Sequence, residues 1–483
     1  MKRRVAYWWM TILIGAVVPA LAQVAAVAAG TAAATTQAAA RVTITIDPNR
    51  KHQIIEGFGA SGAWWPAWVG DYPREKQDQL LDLLFTTERG IALSIYRYNI
   101  PAGGGNEIRR RDRATVNVET APGQYDLAAD AKALGILRGV RQRGVERFVL
   151  FANSPPARLT RNGLTSGGEG GGSNLRPGAE ATFATYLLDL ATRIRDTYDL
   201  PHVAVAPINE PQWRWGERRR GQEGCHYTPA EAAAVIRAVI DESERRKTGL
   251  RIEAPESGQW DGTLAYAQAM FGDPVIDAHV IELAIHSYWT DQPTKRRAAD
   301  ALREAFPRKR IAMTEFCQMK NGTDVGIDSA IETAEVIHDD LTIGGVVSWQ
   351  WWLGVAPGGY RDGLIYANPR TQQIEPTKRL WALGNYSRFV RPGATRVAAE
   401  VAGDGIRATA FVSGDGGRLA CVMINPTANT VTTRVVVPAG VAATPREKPS
   451  LYVTDETHDL ARVDQPGDEI VLPPRSVSTL VLE

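Results

Sequence analysis

The chain has 483 residues, 55 Lys and Arg against 54 Asp and Glu, and a formal net charge of +1. That balance offers nothing to a nucleic acid or an acidic membrane surface. The length suits one large barrel with a smaller domain beside it.

The first segment reads as a targeting signal. Lys2-Arg3-Arg4 is followed by a mostly apolar run from Val5 to Ala20 and by the small residues Ala20-Leu21-Ala22, so residues 1–22 are expected to be a secretory signal peptide. A membrane anchor is the alternative, but the run is short and no charged stop follows. Residues 23–41 are rich in Ala, Val, Thr, Gln and Gly without apolar periodicity and read as a disordered leader. The mature protein is expected to be secreted or periplasmic, with no membrane association after cleavage, and a monomer.

Val42-Thr43-Ile44-Thr45-Ile46 alternates apolar and polar residues, and residues 42–53 are assigned to a strand of a side domain. Over residues 54–390 short apolar runs alternate with amphipathic stretches of helical spacing. Strand ends are expected near Gly59, Arg97, Asn153, Asn209, Glu256, His286, Glu315 and Trp349. Helices are expected over Arg74–Phe85, Leu127–Arg143, Ala179–Tyr198, Pro229–Arg246 and Ile327–Leu341, with Thr228 as N-cap and Pro229 at N1. Eight such units predict a (β/α)8 TIM barrel. A doubly wound sheet fits less well. Gly57-Phe58-Gly59 leads into Ala60-Ser61-Gly62-Ala63-Trp64-Trp65, and the glycines of 167–172 lack a phosphate-loop Lys. Residues 391–483 carry short β-type runs with turns between them, which predicts an antiparallel β-sandwich built from both chain ends.

Two apolar runs end on a carboxylate. Val203 to Ile208 runs into Asn209-Glu210-Pro211, and Ile311 to Thr314 runs into Glu315. A solvated strand end is the commoner fate of a single Glu. Here the two fall on the fourth and seventh strands, which face each other across a barrel mouth. Acetal hydrolysis needs such a pair, one carboxyl protonating the leaving oxygen and the other attacking the anomeric carbon, about 5–5.5 Å apart in a retaining enzyme. Asn209 is placed to meet a sugar 2-hydroxyl. Of 13 Trp, 11 lie between Trp64 and Trp381, most just past strand ends, where flat indoles stack on sugar rings; some of them are expected to be ordinary core residues.

Three cysteines allow at most one internal bridge. Cys421 sits in a core-like strand, whereas Cys225 and Cys317 each follow one of the two glutamates, and a disulfide between them is the expectation. Seven His with no close ligand spacing give no metal site, and no cofactor is implied.

Longer stretches carry a resemblance. Asn209-Glu210-Pro211 with a Glu ending strand seven resembles the (β/α)8 retaining glycosidases. Gly57 to Ser61, Leu93 to Ile100, Asn153 to Pro156, His286 to Trp289, Ser348 to Trp352 and Leu472 to Leu480 together resemble glycoside hydrolase family 30 over residues 42–483. The resemblance implies Glu210 as acid/base and Glu315 as nucleophile. It implies Arg97 and Tyr288 bonded to the nucleophile, His286 lining the subsite and Trp349 as its floor. Asn153, Trp65 and Trp213 join the expected sugar-binding set, and the role of Glu256 is left open. Asn209 to Trp215, Gln222 to Cys225 and Thr314 to Cys317 look most like the endo-β-1,6-galactanase branch, which acts on plant arabinogalactan. Other β-glycanases of the family, a glucuronoxylanase or β-1,6-glucanase, are the alternative, and a non-catalytic polysaccharide-binding protein is a further one.

Overall fold

The computed structural model describes residues 41–216, 221–437, 449–464 and 469–482. The expected signal peptide, and the expected leader up to residue 40, lie outside the described residues.

Apolar runs too short and too β-branched for buried helices become parallel strands. They are β1 (Gly57–Ser61), β2 (Ile95–Ile100), β3 (Arg147–Ala152), β4 (His202–Ala206), β5, β6 (Glu282–His286), β7 (Arg310–Phe316) and β8 (Ser348–Ala356). Strand β5 is broken. Its first piece, Arg251–Ile252, pairs with β4, and its second, Ala254–Ser257, pairs with β6. β8 pairs with β1. The ring is thus a nearly closed barrel, joined covalently at Glu253, whose N–H donates to Val205 O at 3.0 Å. Strands β1, β2, β3, β6 and β8 are buried at every position, which is why they read as continuous apolar runs rather than alternating ones.

Helices cover the outside. Arg74–Phe85 and Pro229–Arg246 have the expected bounds, the latter opened by a capping box between Thr228 and Glu231. The expected helix at Leu127 begins as a 3-10 turn, Leu127–Asp130, before Ala131–Gln142. Ile327–Asp339 ends in a π-helical turn, Asp340–Gly344, which places Asp340 beneath the site described below. The N-terminal end of the barrel is closed by charge: Arg147 bonds Glu253 at 2.9 Å and Glu282 at 2.6 Å.

The side sheet has nine strands among the described residues, mostly antiparallel, and Arg41–Ile54 lies within it. That strand pairs antiparallel with Thr395–Ala402 and parallel with Val431–Val436. The sheet curls round its own core, formed by Val42, Ile44, Ile46, Leu419, Cys421 and Met423. The alternate residues Ala420, Val422 and Ile424 join the core shared with the barrel. The period of two in one strand therefore serves two cores, one within the side sheet and one beneath it.

Candidate active site

Five of the eight strands deliver polar side chains to the same point. Arg97 comes from β2, Asn209 and Glu210 follow β4, Glu256 lies in β5, His286 ends β6, Tyr288 follows it, and Glu315 lies in β7. Arg97 Nη1 donates to Glu315 Oε2 at 2.7 Å, and Tyr288 OH donates to Glu315 Oε1 at 2.9 Å. Arg97 Nη2 donates to Asn209 Oδ1 at 3.3 Å and lies 3.3 Å from Glu256 Oε2. His286 Nδ1 is 3.2 Å from Glu210 Oε1, and its Nε2 is 2.9 Å from Glu256 Oε2. Thr314 Oγ1 donates to the same Glu256 oxygen at 2.5 Å.

The backbone is strained where these groups turn inward. Glu210 (φ 44°), Glu256 (φ 58°), Trp64 (φ 66°) and Trp289 (φ 47°) all occupy the left-handed region. Such residues cost about 1–3 kcal/mol each and persist only where surrounding bonds hold them. Glu210 is so held: its N–H donates to Glu256 O at 2.8 Å.

Charge explains the protonation. Burial alone would discharge His286, but the Glu315 charge and the hydrogen bonds to Glu210 and Glu256 raise it to about 9, so both ring nitrogens donate near neutral pH. Burial raises Glu256, yet Arg97, His286 and Thr314 bring it below the usual range. Burial holds Glu315 above its usual range; His286 and Arg97 pull against this, and Glu210 adds to it. Three carboxyls thus face two cations in this cluster. A carboxylate oxygen of Glu210, one of Glu315 and a ring nitrogen of His286 lie within 4.8 Å of one another. This is the one cluster among the described residues with metal-ligand spacing, and Arg97 and imidazolium His286 already supply its positive charge. Carboxylate oxygens within 4.8 Å of one another are closer to the about 5–5.5 Å of a retaining pair than to the about 6.5–9.5 Å of an inverting one.

The sequence pattern of O-glycosyl hydrolase family 30 matches residues 41–366. This chain belongs to glycoside hydrolase family 30. It is 26% identical over 387 residues to an endo-beta-1,6-galactanase of Hypocrea rufa, covering 74% of this chain and 76% of that protein. It is 23% identical to glucuronoxylanase XynC of Bacillus subtilis strain 168, covering 92% and 93%. The crystal structure of a conserved exported protein from Bacteroides fragilis superposes with a TM-score of 0.80 at 25% identity, over 91% of this chain and all of that one. A family 30 enzyme hydrolyses O-glycosidic bonds, and two aromatic pairs lie on the loops around the carboxyls. Trp213 and Trp289 meet edge to face at 5.1 Å, with Trp289 61% exposed. Trp64 and Trp352 do the same at 5.1 Å.

Glu210, Glu315, Arg97, Asn209, His286 and Tyr288 form one network. Asn153, also buried, donates to Asn99 Oδ1 at 3.2 Å, and Trp213 pairs with Trp289. Three expectations need correction. Trp349 presents no face to a sugar: it is fully buried, its N–H bonded to Asp340 at 2.9 Å. Trp65 is also buried, donating to Ser61 O at 2.9 Å; the left-handed turn at Trp64 sends that indole, not Trp65, toward Trp352. Cys225 and Cys317 are free thiols. Cys225 sits among Asn174, Leu175 and Tyr227, whereas Cys317 lies 3.8 Å from Tyr288 OH and 3.9 Å from Met319 Sδ. With different neighbours the two sulfurs cannot meet at bonding distance.

Several residues of the site escaped the sequence reading. The Arg113 guanidinium lies 4.5 Å over the Trp64 ring, donates to Gln222 Oε1 at 3.1 Å and faces Asp362 at 3.8 Å. Four loops meet there, and no local pattern reports such a meeting. The side-chain amide of Gln212, two residues past Glu210, is buried and has no hydrogen-bonding partner among the described residues. Buried Glu223 accepts from Gly104 N at 2.9 Å and from Thr115, tying the β4 loop to the β2 loop, and burial pushes it up to about 7. Asp340 takes bonds from Lys295 at 2.5 Å and Ser287 at 2.7 Å, which fixes the segment between His286 and Tyr288.

Proposed function

We propose that the protein is an endo-acting, retaining β-glycosidase for plant cell-wall polysaccharide, with β-1,6-galactan as its substrate. The carrying observation is the spacing of Glu210 and Glu315, within 4.8 Å between carboxylate oxygens. Arg97 and Tyr288 both donate to Glu315 and orient it for attack, which leaves Glu210, bonded to His286 instead, to serve the leaving oxygen. Glu210 then protonates the glycosidic oxygen while Glu315 attacks the anomeric carbon. The glycosyl-enzyme is hydrolysed by a water that Glu210 deprotonates, which returns both groups to their starting states. His286 keeps a positive charge against both carboxyls throughout.

The choice of galactan is supported by likeness to the Hypocrea rufa enzyme and by one structural fact. Arg361, the arginine of the β8 loop, is paired with Asp324 at 2.8 Å and is not free for the acid group of a glucuronoxylan. The basic, apolar and small-residue pattern at the N-terminus supports export, as does likeness to a Bacteroides fragilis protein described as exported. Product analysis on β-1,6-galactan, β-1,3-galactan, glucuronoxylan and β-1,6-glucan tests the reading. Preferred cleavage of β-1,6-galactan to internal fragments is expected; preferred release from glucuronoxylan overturns it.

A further inference from the structure

A second concavity, of about 380 Å³, lies between the side sheet and the helix Ile327–Asp339. The C-terminal turn of that helix feeds the start of β8, so this hollow sits toward the barrel end opposite the catalytic carboxyls. Three arginines stand in or beside its walls, and two of them are paired. Arg50 is paired with Glu400 at 2.5 Å, and Arg407 is paired with Asp339 at 2.9 Å and Glu335 at 3.2 Å. Arg396 has no carboxylate within 4.0 Å among the described residues; its Nε donates to the neutral Gln53 at 2.9 Å. Burial, with Arg303 nearby, depresses its guanidinium to about 10. His338 is driven down to about 4 by burial, Arg407 and Arg396. His52 is likewise lowered by burial, Arg396 and Arg50. Arg396 is thus a half-buried guanidinium with no carboxylate of its own, and its neighbours His52 and His338 are held neutral.

We propose that this hollow binds the carboxylate of a uronic acid residue on a polysaccharide chain, as an ancillary site separate from the catalytic cleft. The planar guanidinium fork of Arg396 matches a carboxylate. Neutral His52, and the Nε2 of His338, whose Nδ1 is bonded to Thr409 at 2.8 Å, offer hydrogen bonds to sugar hydroxyls. The lining also includes Ala398, Ile406 and Ala408, an apolar floor for a sugar ring that an inorganic anion would not use. The volume falls in the range of about 300–1,000 Å³ typical of small-molecule sites.

Calorimetric titration of the full chain with methyl β-glucuronide, methyl β-glucoside and sulfate tests this. Binding of the glucuronide but not the glucoside is expected, weakened about ten-fold or more in Arg396→Gln, with hydrolysis of neutral polysaccharide unchanged. His52→Ala, at an exposed residue, is expected to weaken the glucuronide without disturbing the fold. Equal affinity for both glycosides overturns the proposal, as does glucuronide binding indifferent to both substitutions. Binding of sulfate alone also overturns it, by making the hollow a simple anion site. Failure of galactan cleavage leaves this proposal untouched, because no residue here belongs to the cleft.

Discussion

His286 and Glu256 form a fully buried pair, with Nε2 2.9 Å from Oε2 and no exposed surface on either side chain. The pair fixes the state of the catalytic cluster, because Glu256, with Glu315 and Glu210, holds the ring as an imidazolium whose Nδ1–H then donates to Glu210. Glu256, whose role the sequence left open, is therefore a positioning residue for charge.

That pair gives a pH dependence with a definite sign. His286 is raised to about 9 in the folded protein from an ordinary value of 6.5. Its contribution to stability is fully present below the unfolded value and is lost as pH rises through the folded one. In His286→Gln, urea midpoints measured between about pH 6 and pH 10 are expected to fall less with rising pH than in the wild type. An identical fall in both proteins contradicts an imidazolium at this position.

The two glutamates separate by substrate. In Glu210→Gln, kcat on polysaccharide is expected to drop about 10²–10⁴-fold, with a far smaller loss on aryl glycosides whose leaving group needs no proton. Glu315→Gln is expected to abolish both activities while binding persists. Proton NMR of the first-formed product is expected to show retained anomeric configuration; an inverted product excludes attack by Glu315.

Arg113 reaches the cleft from the β2 loop and lies over Trp64. Arg113→Ala is expected to raise KM on long oligosaccharides about ten-fold, the worth of a hydrogen bond to a charged group. Turnover of short aryl glycosides is expected to stay the same. An equal loss on both substrates points instead to collapse of the cleft wall.

Denatured, unreduced protein is expected to titrate three thiols, those of Cys225, Cys317 and Cys421. One thiol, or a melting point that falls with reductant, indicates a bridge that the packing around Tyr288 and Tyr227 does not allow.

Much of this was local and therefore legible in the sequence. Buried parallel strands read as apolar runs, so Glu210 and Glu315 stood out as polar ends, and counting placed them on strands four and seven. Thr228, Pro229 and Glu231 announced a helix start because a capping box is satisfied within one turn. The alternation of Val42 to Ile46 located a side-sheet strand, and a family resemblance supplied the partners Arg97, His286 and Tyr288. Tertiary structure alone decided the rest. Which of Trp64 and Trp65 packs against Trp352 turns on one left-handed residue. Trp349 is buried because Asp340, nine residues before it, captures its N–H from a π-helical turn. Cys225 and Cys317 each follow a catalytic-site strand, yet packing points them into different surroundings. The sequence determined which residues end at the mouth of the barrel, because strand periodicity is a short-range property. Which of them touch, which are charged and which are covered depended on loops from distant strands meeting, as at Arg113, Gln222 and Asp362. Burial and the field of neighbouring charges arise only from that meeting.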